Sequence, residues 1–280
     1  MAAKRELSLR RLLGGAGPDR ARPLIVSYPR SGRNWLRTML HDFSVNPRWK
    51  HAGSEKIQFD PDTLCQNIPD YFVNRVLFLL RDPRDTVVSF FHNLVRIKAW
   101  SGDLPAFLRN PNTGLERLLV FNLGWMEAQG RFRDFAAVSY EGLQQDTEAA
   151  LARILQFLGS KPPHPQVLSR VIAEQSFDEM KRREISGELY ARFGKHFTAR
   201  SENDNQRKVR RGVIGGYVDE MTSADQDFCE ELLVRYDYNK RIDRSMRQAE
   251  EKRAGDAKGL DISQISIGAK WPQSEAKVHR

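Results

Sequence analysis

Cysteine is nearly absent from this sequence: Cys65 and Cys229 are the two in 280 residues. They lie far apart without CxxC spacing, so the sequence supports neither a zinc site nor a disulfide framework. Both read as reduced, inert thiols. No apolar run reaches the roughly 18 residues that a membrane span needs, and the basic N-terminus has no long apolar h-region. The expectation is a cytoplasmic protein that neither spans a membrane nor is secreted. A Walker A loop, G-x4-G-K-[ST], is missing, which counts against standard ATP or GTP hydrolysis. Also missing are an internal repeat, a low-complexity block, a helix-turn-helix signature and the basic stripe interleaved with aromatics that nucleic-acid binders use. No group of residues has metal-ligand spacing.

What the sequence has in excess is positive charge. A net charge of +9 implies a polyanionic partner: nucleic acid, an anionic membrane face or a multiply charged nucleotide. Composition alone does not choose among them. The length suits one α/β domain with a tail. Residues 1–22 read as a mobile basic arm, because Arg and Lys are mixed with Gly-Gly-Ala-Gly-Pro and no periodic apolar face. The domain is expected over residues 23–243 and a polar tail over 244–280.

Within that domain strands and helices alternate. Residues 23–27 form a short apolar run and 75–80 a longer one, and Phe135 to Tyr140 (FAAVSY) is a third strand. Apolar residues recur at helical spacing over 34–43, 86–97, 116–132, 147–158, 165–175 and 223–235. Asp82-Pro83 reads as a helix start. The stretch from Arg182 to Tyr217 is polar, basic and poorly periodic, and reads as a long surface loop. The alternation predicts a single α/β domain of P-loop-like type, with a central parallel sheet flanked by helices on both faces.

Two segments carry chemistry. Ser27-Tyr28-Pro29-Arg30-Ser31-Gly32-Arg33-Asn34-Trp35 joins the first strand to the first helix, where free backbone N–H groups and the positive helix end face an incoming anion. Gly32 lets the backbone come close, Ser31 and Asn34 can donate hydrogen bonds, and Arg30 and Arg33 add charge. The plainer reading is a strand-to-helix turn capped by Ser31. The second segment, Arg81-Asp82-Pro83-Arg84-Asp85-Thr86-Val87-Val88-Ser89, again opens a helix at a strand end. Arg81 is placed to clamp a phosphate where open α/β sheets bind ligands, and Ser89 lies one to two turns further. The plainer reading here is a set of surface ion pairs worth little each.

Together these segments resemble the cytosolic-type sulfotransferase family that uses 3′-phosphoadenosine 5′-phosphosulfate (PAPS). Tyr28 to Trp35 is similar to the family's Tyr-Pro-Lys-Ser-Gly-Thr-Thr-Trp, and Arg81 to Ser89 to its Arg-Asn-Pro-Lys-Asp-Val-x-x-Ser. Further likenesses follow in order at Val138 to Leu143, at Phe157-Leu158-Gly159, at Gln175 to Met180 and at Val209 to Tyr217. The resemblance implies sulfuryl transfer from PAPS to a hydroxyl or amine by in-line displacement, with 3′,5′-bisphosphorylated adenosine (PAP) released and no metal required. It implies that residues 30 to 35 hold the 5′-phosphosulfate, and that Arg81, Ser89 and Arg210-Arg211-Gly212 hold the 3′-phosphate. Trp35, Tyr140 and Ser176 would line the adenine pocket.

The same resemblance gives the catalytic roles. Arg30 stands where the family has Lys and would stabilise the leaving group, acting by charge alone because Arg stays protonated. His51 would be the base, from the segment matching the family's Lys-x-His, with His92 and Glu55 as other candidates. An imidazole's ordinary pKa suits that task. The acceptor is expected to be a small molecule, a sugar or a lipid headgroup, and neither its identity nor the oligomeric state is written in the sequence. Other readings stay open here: a P-loop nucleotide kinase or other phosphotransferase, a basic nucleic-acid-binding module, and a catalytically inactive PAP-binding relative.

Overall fold

The structure, a computed structural model, describes residues 23–51, 75–161, 163–197, 208–209 and 211–256. Four parallel strands form the sheet seen among them: β1 (Leu24–Ser27), β2 (Arg48–His51), β3 (Arg75–Leu80) and β4 (Asp134–Ser139), in the order β2-β1-β3-β4. The register pairs Ser27 with both His51 and Leu79, and Leu80 with Ser139. All four strands therefore end at the same edge of the sheet. This is the edge where ligands enter open α/β folds.

Alternation along each strand divides the core in two, since successive side chains point to opposite faces. Leu24, Val26, Val76, Phe78 and Leu80 pack on one face with α2 (Pro83–Arg96), α4 (Leu115–Glu127), α10 (Ser223–Arg235) and α11 (Tyr238–Asp256). Ile25, Leu77, Leu79, Ala136 and Val138 pack on the other with α1 (Arg33–Asp42), α6 (Thr147–Phe157) and α7 (Pro165–Glu174). The strands are apolar on both faces because helices cover both. Between α2 and α4 lies the short α3 (Leu104–Leu108), and α5 (Tyr140–Gln145) follows β4 directly. Caps set the helix starts next to the site. Asp82 accepts from the Arg84 N–H at 2.8 Å with Pro83 in the first turn, and Ser139 Oγ accepts from Gly142 N–H at 3.0 Å.

Two expectations about organisation need correction. The boundary between residues 243 and 244 falls inside α11, which buries Tyr238, Ile242, Met246 and Ala249 against the core. Tyr238 accepts from Asn122 at 2.8 Å, and the Ser245 carbonyl accepts from Gln129 at 3.0 Å. The helix thus carries the domain past residue 243, with core contacts as far as Ala249. The polar stretch from residue 182 is likewise not all loop. It holds the end of α8 (Phe177–Ile185) and the whole of α9 (Glu188–Phe193), which a small cluster of Met180, Leu189 and Phe197 ties to Trp35. The expected arm (1–22) and residues 257–280 lie outside the described residues, as do Glu55, Cys65 and Arg210. Cys229 is a free, buried thiol whose pKa burial pushes up to about 12, in keeping with an inert role.

Candidate active site

The turn after β1 is built on unusual backbone. Arg30 has φ +75° and Gly32 φ +90° before α1 begins at Arg33. A non-glycine residue in the left-handed region carries strain of order 1 kcal/mol, a conformation that persists where the surroundings impose it. Gly32 is required twice over. Its φ suits glycine, and a Cβ there would lie 2.4 Å from Cδ2 of Tyr140. Gly32→Ala is expected to lower Tm by several degrees and weaken PAP binding at least about tenfold, read by thermal denaturation and calorimetry. A variant with wild-type values for both would remove this account of the turn.

Arg81 leaves the end of β3 and lies 4.6 Å from the ring centroid of Tyr140, which opens α5 after β4. Its Nη1 donates to the Arg30 carbonyl at 3.4 Å, so the turn and the strand-end arginine open onto one space. Arg81 Nε is buried and has no hydrogen-bond partner among the described residues. A buried donor left this way is costly unless an acceptor arrives. Arg30 itself reaches across that space. Its Nε donates to Ser89 Oγ at 3.0 Å, and its Nη2 donates to the Lys208 carbonyl at 2.8 Å.

The far wall is the glycine-containing loop after residue 208, and Asp85 holds it. The Asp85 carboxylate, on α2, accepts from the N–H groups of Gly215 (2.8 Å) and Tyr217 (3.0 Å), and lies 3.7 Å from Arg81 Nη2. Burial raises its pKa while Arg81 and the two N–H groups oppose that rise. Gln144 donates to the Gly212 carbonyl at 3.0 Å, and a Cβ at Gly212 (φ +66°) would lie 2.4 Å from Phe177 Cδ2. Arg211 pairs with Asp219 and, at 3.4 Å, with Glu220. Behind the wall, Arg84 grips Asp82 through two nitrogens and stacks on Tyr217, 4.4 Å from the ring centroid. Glu141, pushed up to about 7 by burial, accepts from the Asp82 N–H at 2.9 Å.

These parts enclose a cavity of about 800 Å³. Arg30, Arg33, Arg37, Arg81, Lys208 and Arg211 line it against two carboxylates, Asp85 and Glu220. Of the residues singled out in the sequence, the structure also brings Gly32, Asn34, Trp35, Ser89, Tyr140 and Gly212 to this wall. Trp35 meets Tyr140 edge-on at 5.7 Å and donates to the Gln175 carbonyl at 2.8 Å. Two residues are placed elsewhere. Ser31 is buried off the wall, and Ser176 is exposed just before α8, where Phe177 takes the wall position instead. The His51 backbone pairs with Ser27 at the edge from which the turn departs. His92 pairs with Glu220. Asp85, Arg37, Trp49, Phe177 and Lys208 were not named as site residues from the sequence. Asp85 and Phe177 had a signal, Asp85 from its place in the second segment and Phe177 from the likeness at Gln175 to Met180.

A glycine-containing strand-to-helix turn without a Walker lysine, at the carboxyl edge of a parallel sheet covered by helices on both faces, gives the chain an α/β fold of P-loop-like type. Comparison with known proteins narrows that class. A family model described as sulfotransferase domain matches residues 63–235, a span that includes Arg81, Ser89, Tyr140 and the loop at 211–217 and begins downstream of the turn. Sulfotransferase 2A1 of Macaca fascicularis is 27% identical over 242 residues, covering 75% of this chain and 82% of its own. Sulfotransferase 2B1 of Rattus norvegicus is 29% identical over 193 residues, covering 58% and 56%. In three dimensions, mouse sulfotransferase SULT7A1 complexed with PAP matches with a TM-score of 0.59 at 17% identity, covering 83% of this chain and 89% of that one. The chain belongs to the sulfotransferase family. With that membership comes transfer of a sulfuryl group from PAPS to an acceptor, and the kinase and nucleic-acid readings are set aside.

Proposed function

We propose that this chain sulfates a hydroxyl or amine of a small-molecule acceptor, holding PAPS across the carboxyl ends of β1, β3 and β4. The observation that carries the reading is the junction of Arg30, Arg81 and Ser89 on one cavity wall, with the buried Nε of Arg81 left without a hydrogen-bond partner among the described residues. In this assignment the turn of residues 30–35 holds the 5′-phosphosulfate. Arg81, Ser89, Arg211 and Gly212 take the 3′-phosphate, with Arg210 as an expected neighbour. Trp35, Tyr140 and Phe177 flank the adenine.

PAPS supplies the sulfuryl group and leaves as PAP. Arg30 places fixed positive charge at the oxygen that departs from sulfur, and His51 takes the proton of the acceptor as the new oxygen–sulfur bond forms. The strand register supports His51, since its backbone stands beside the start of the turn. Phe90, Leu94, Met180 and Phe197 give part of the same cavity an apolar lining. That suits an acceptor with an apolar body, such as those named for the relatives: a 3-beta-hydroxysteroid sulfotransferase of Cavia porcellus is 26% identical over 236 residues, and retinol dehydratase was solved in complex with androsterone. The reading keeps sugars and lipid headgroups within the acceptor class, needs no metal, and places the reaction in the cytoplasm, as the family resemblance implies.

Thermal unfolding with PAP and with ATP tests the donor assignment. At equal concentrations PAP is expected to raise Tm well above the shift given by ATP, because a ligand at 100 times its Kd adds about 2.7 kcal/mol. Equal shifts would defeat the assignment.

A further inference from the structure

The first helix presents two different sides to the cavity. Residues two apart on a helix point to nearly opposite sides, and residues four apart share one. Trp35 is on the side that meets Tyr140 at 5.7 Å, towards β4. Arg33 and Arg37 share the other side, and the Arg37 guanidinium lies 4.5 Å from the ring centroid of Trp49, on β2. The strand order puts β2 and β3 on opposite sides of β1. Arg37 and Trp49 are therefore across the turn from Arg81 and Ser89, yet all four line the same cavity.

Arg37 is set up as a fork. Trp49 supports its plane, and one N–H donates to Asn34 Oδ1 at 2.8 Å. That is one of five donors used among the described residues. A stacked, pre-oriented guanidinium loses little further freedom when it grips a carboxylate or phosphate in two places.

The neighbourhood favours an anion. Burial holds Arg37 down to about 10. Arg33 is also held to about 10, first by burial and then by Arg37 and Arg30. Lys208, on the same wall, is lowered to about 8 by burial, then by Arg96 and Arg30, with Glu184 opposing and Arg37 adding to the effect. Cations that depress one another in a partly dehydrated site gain when negative charge enters between them.

We propose that the β2 end of the cavity is an acceptor subsite for an anionic group, a carboxylate or a phosphate ester on the acceptor molecule, with Arg37 as its fork, while Arg33 stays with the 5′-phosphosulfate. The proposal deepens the reading above and rests on it, since the β3 side must be the cofactor's. The sulfated hydroxyl or amine and the anion are then separate groups on one acceptor. Trp49 and the apolar wall cover what lies between them.

Titration calorimetry on the PAP-loaded full chain tests this with two matched pairs: 4-hydroxyphenylacetate against tyrosol, and glucose 6-phosphate against glucose. The anionic member of at least one pair is expected to bind about tenfold or more tightly than its neutral partner, the size a charge-assisted hydrogen bond carries. The pair that discriminates tells carboxylate from phosphate. Arg37→Leu should erase the preference, Arg37→Lys should keep part of it, and PAP affinity should stay within about twofold in both. Equal binding within both pairs overturns the subsite, as does a preference that survives in Arg37→Leu. A parallel fall in PAP affinity would move Arg37 to the cofactor and likewise end the proposal. If Arg37→Leu does not fold, Arg37→Met decides by the same readings. Wild-type protein that fails to bind PAP overturns the cofactor assignment itself, and the subsite falls with it.

Discussion

Replacing Arg30 with Ala is expected to lower kcat about 100-fold or more while leaving PAP affinity within a few fold. Arg30 reaches across the cavity, donating to Ser89 Oγ and to the Lys208 carbonyl from a turn whose backbone is held in the left-handed region. In the proposed assignment its charge would meet the oxygen that becomes more negative as the bond to sulfur breaks. A donor of this kind acts on the transition state more than on the bound ground state. The loss corresponds to about 2.7 kcal/mol of activation free energy. PAP affinity is spared because Arg81, Ser89 and the loop at 211–212 remain. Single-turnover kinetics with labelled PAPS and calorimetry with PAP give the two readings. Arg30→Lys sharpens the comparison: it keeps the charge but loses the planar fork that spans Ser89 and the Lys208 carbonyl, so an intermediate rate is expected. An Ala variant that turns over near the wild-type rate would take Arg30 out of this role.

How much of this was legible follows from the kind of signal each part carries. The strands at 24–27, 75–80 and 134–139 showed as apolar runs because a sheet covered on both faces admits little else. The turn at 28–35 and the opening of α2 showed because Gly, Pro, Ser and Asp mark strand-to-helix junctions. The strand β2 gave no such signal, being four residues long and reading Arg-Trp-Lys-His. The helix α8 was hidden because two of its three buried residues, Arg183 and Glu184, are charged. Arg183 pairs with Glu188 at 2.8 Å, and Glu184 accepts from the N–H groups of Lys208 and Val209. A sequence reader sees charged residues and expects solvent. Here they tie α8 to the loop that closes the cavity. The long helix at the C-terminus was missed for a related reason: its apolar stripe is narrow and most of its residues are charged or polar. Within the site, Arg81 and Ser89 were visible from their place after a strand, whereas Arg37 and Lys208 join the wall through tertiary packing that leaves no local pattern.

Arg81→Met is expected to weaken PAP binding about 100-fold and to leave adenosine 5′-monophosphate binding within a few fold, because the second ligand lacks the phosphate that Arg81 would grip. Each charge-assisted hydrogen bond carries about 1.5–3 kcal/mol, and Arg81 offers a buried Nε with no partner among the described residues together with two outer nitrogens held at 3.4 Å from the Arg30 and Val213 carbonyls. The substitution also reaches Asp85. Arg81 is the charge that lowers the Asp85 pKa against burial, so its removal favours the protonated carboxyl and loosens the N–H groups of Gly215 and Tyr217. Part of the loss would then come from a displaced loop rather than from the phosphate. Arg81→Lys separates the two contributions. It retains a charge near Asp85 and so the loop, but a single ammonium replaces the stacked fork over Tyr140. The Lys variant should therefore keep most of the wild-type thermal stability while losing about tenfold in PAP affinity. If both variants bind PAP and adenosine 5′-monophosphate with equal losses, the 3′-phosphate does not sit on Arg81, and the cofactor must lie the other way round in the cavity.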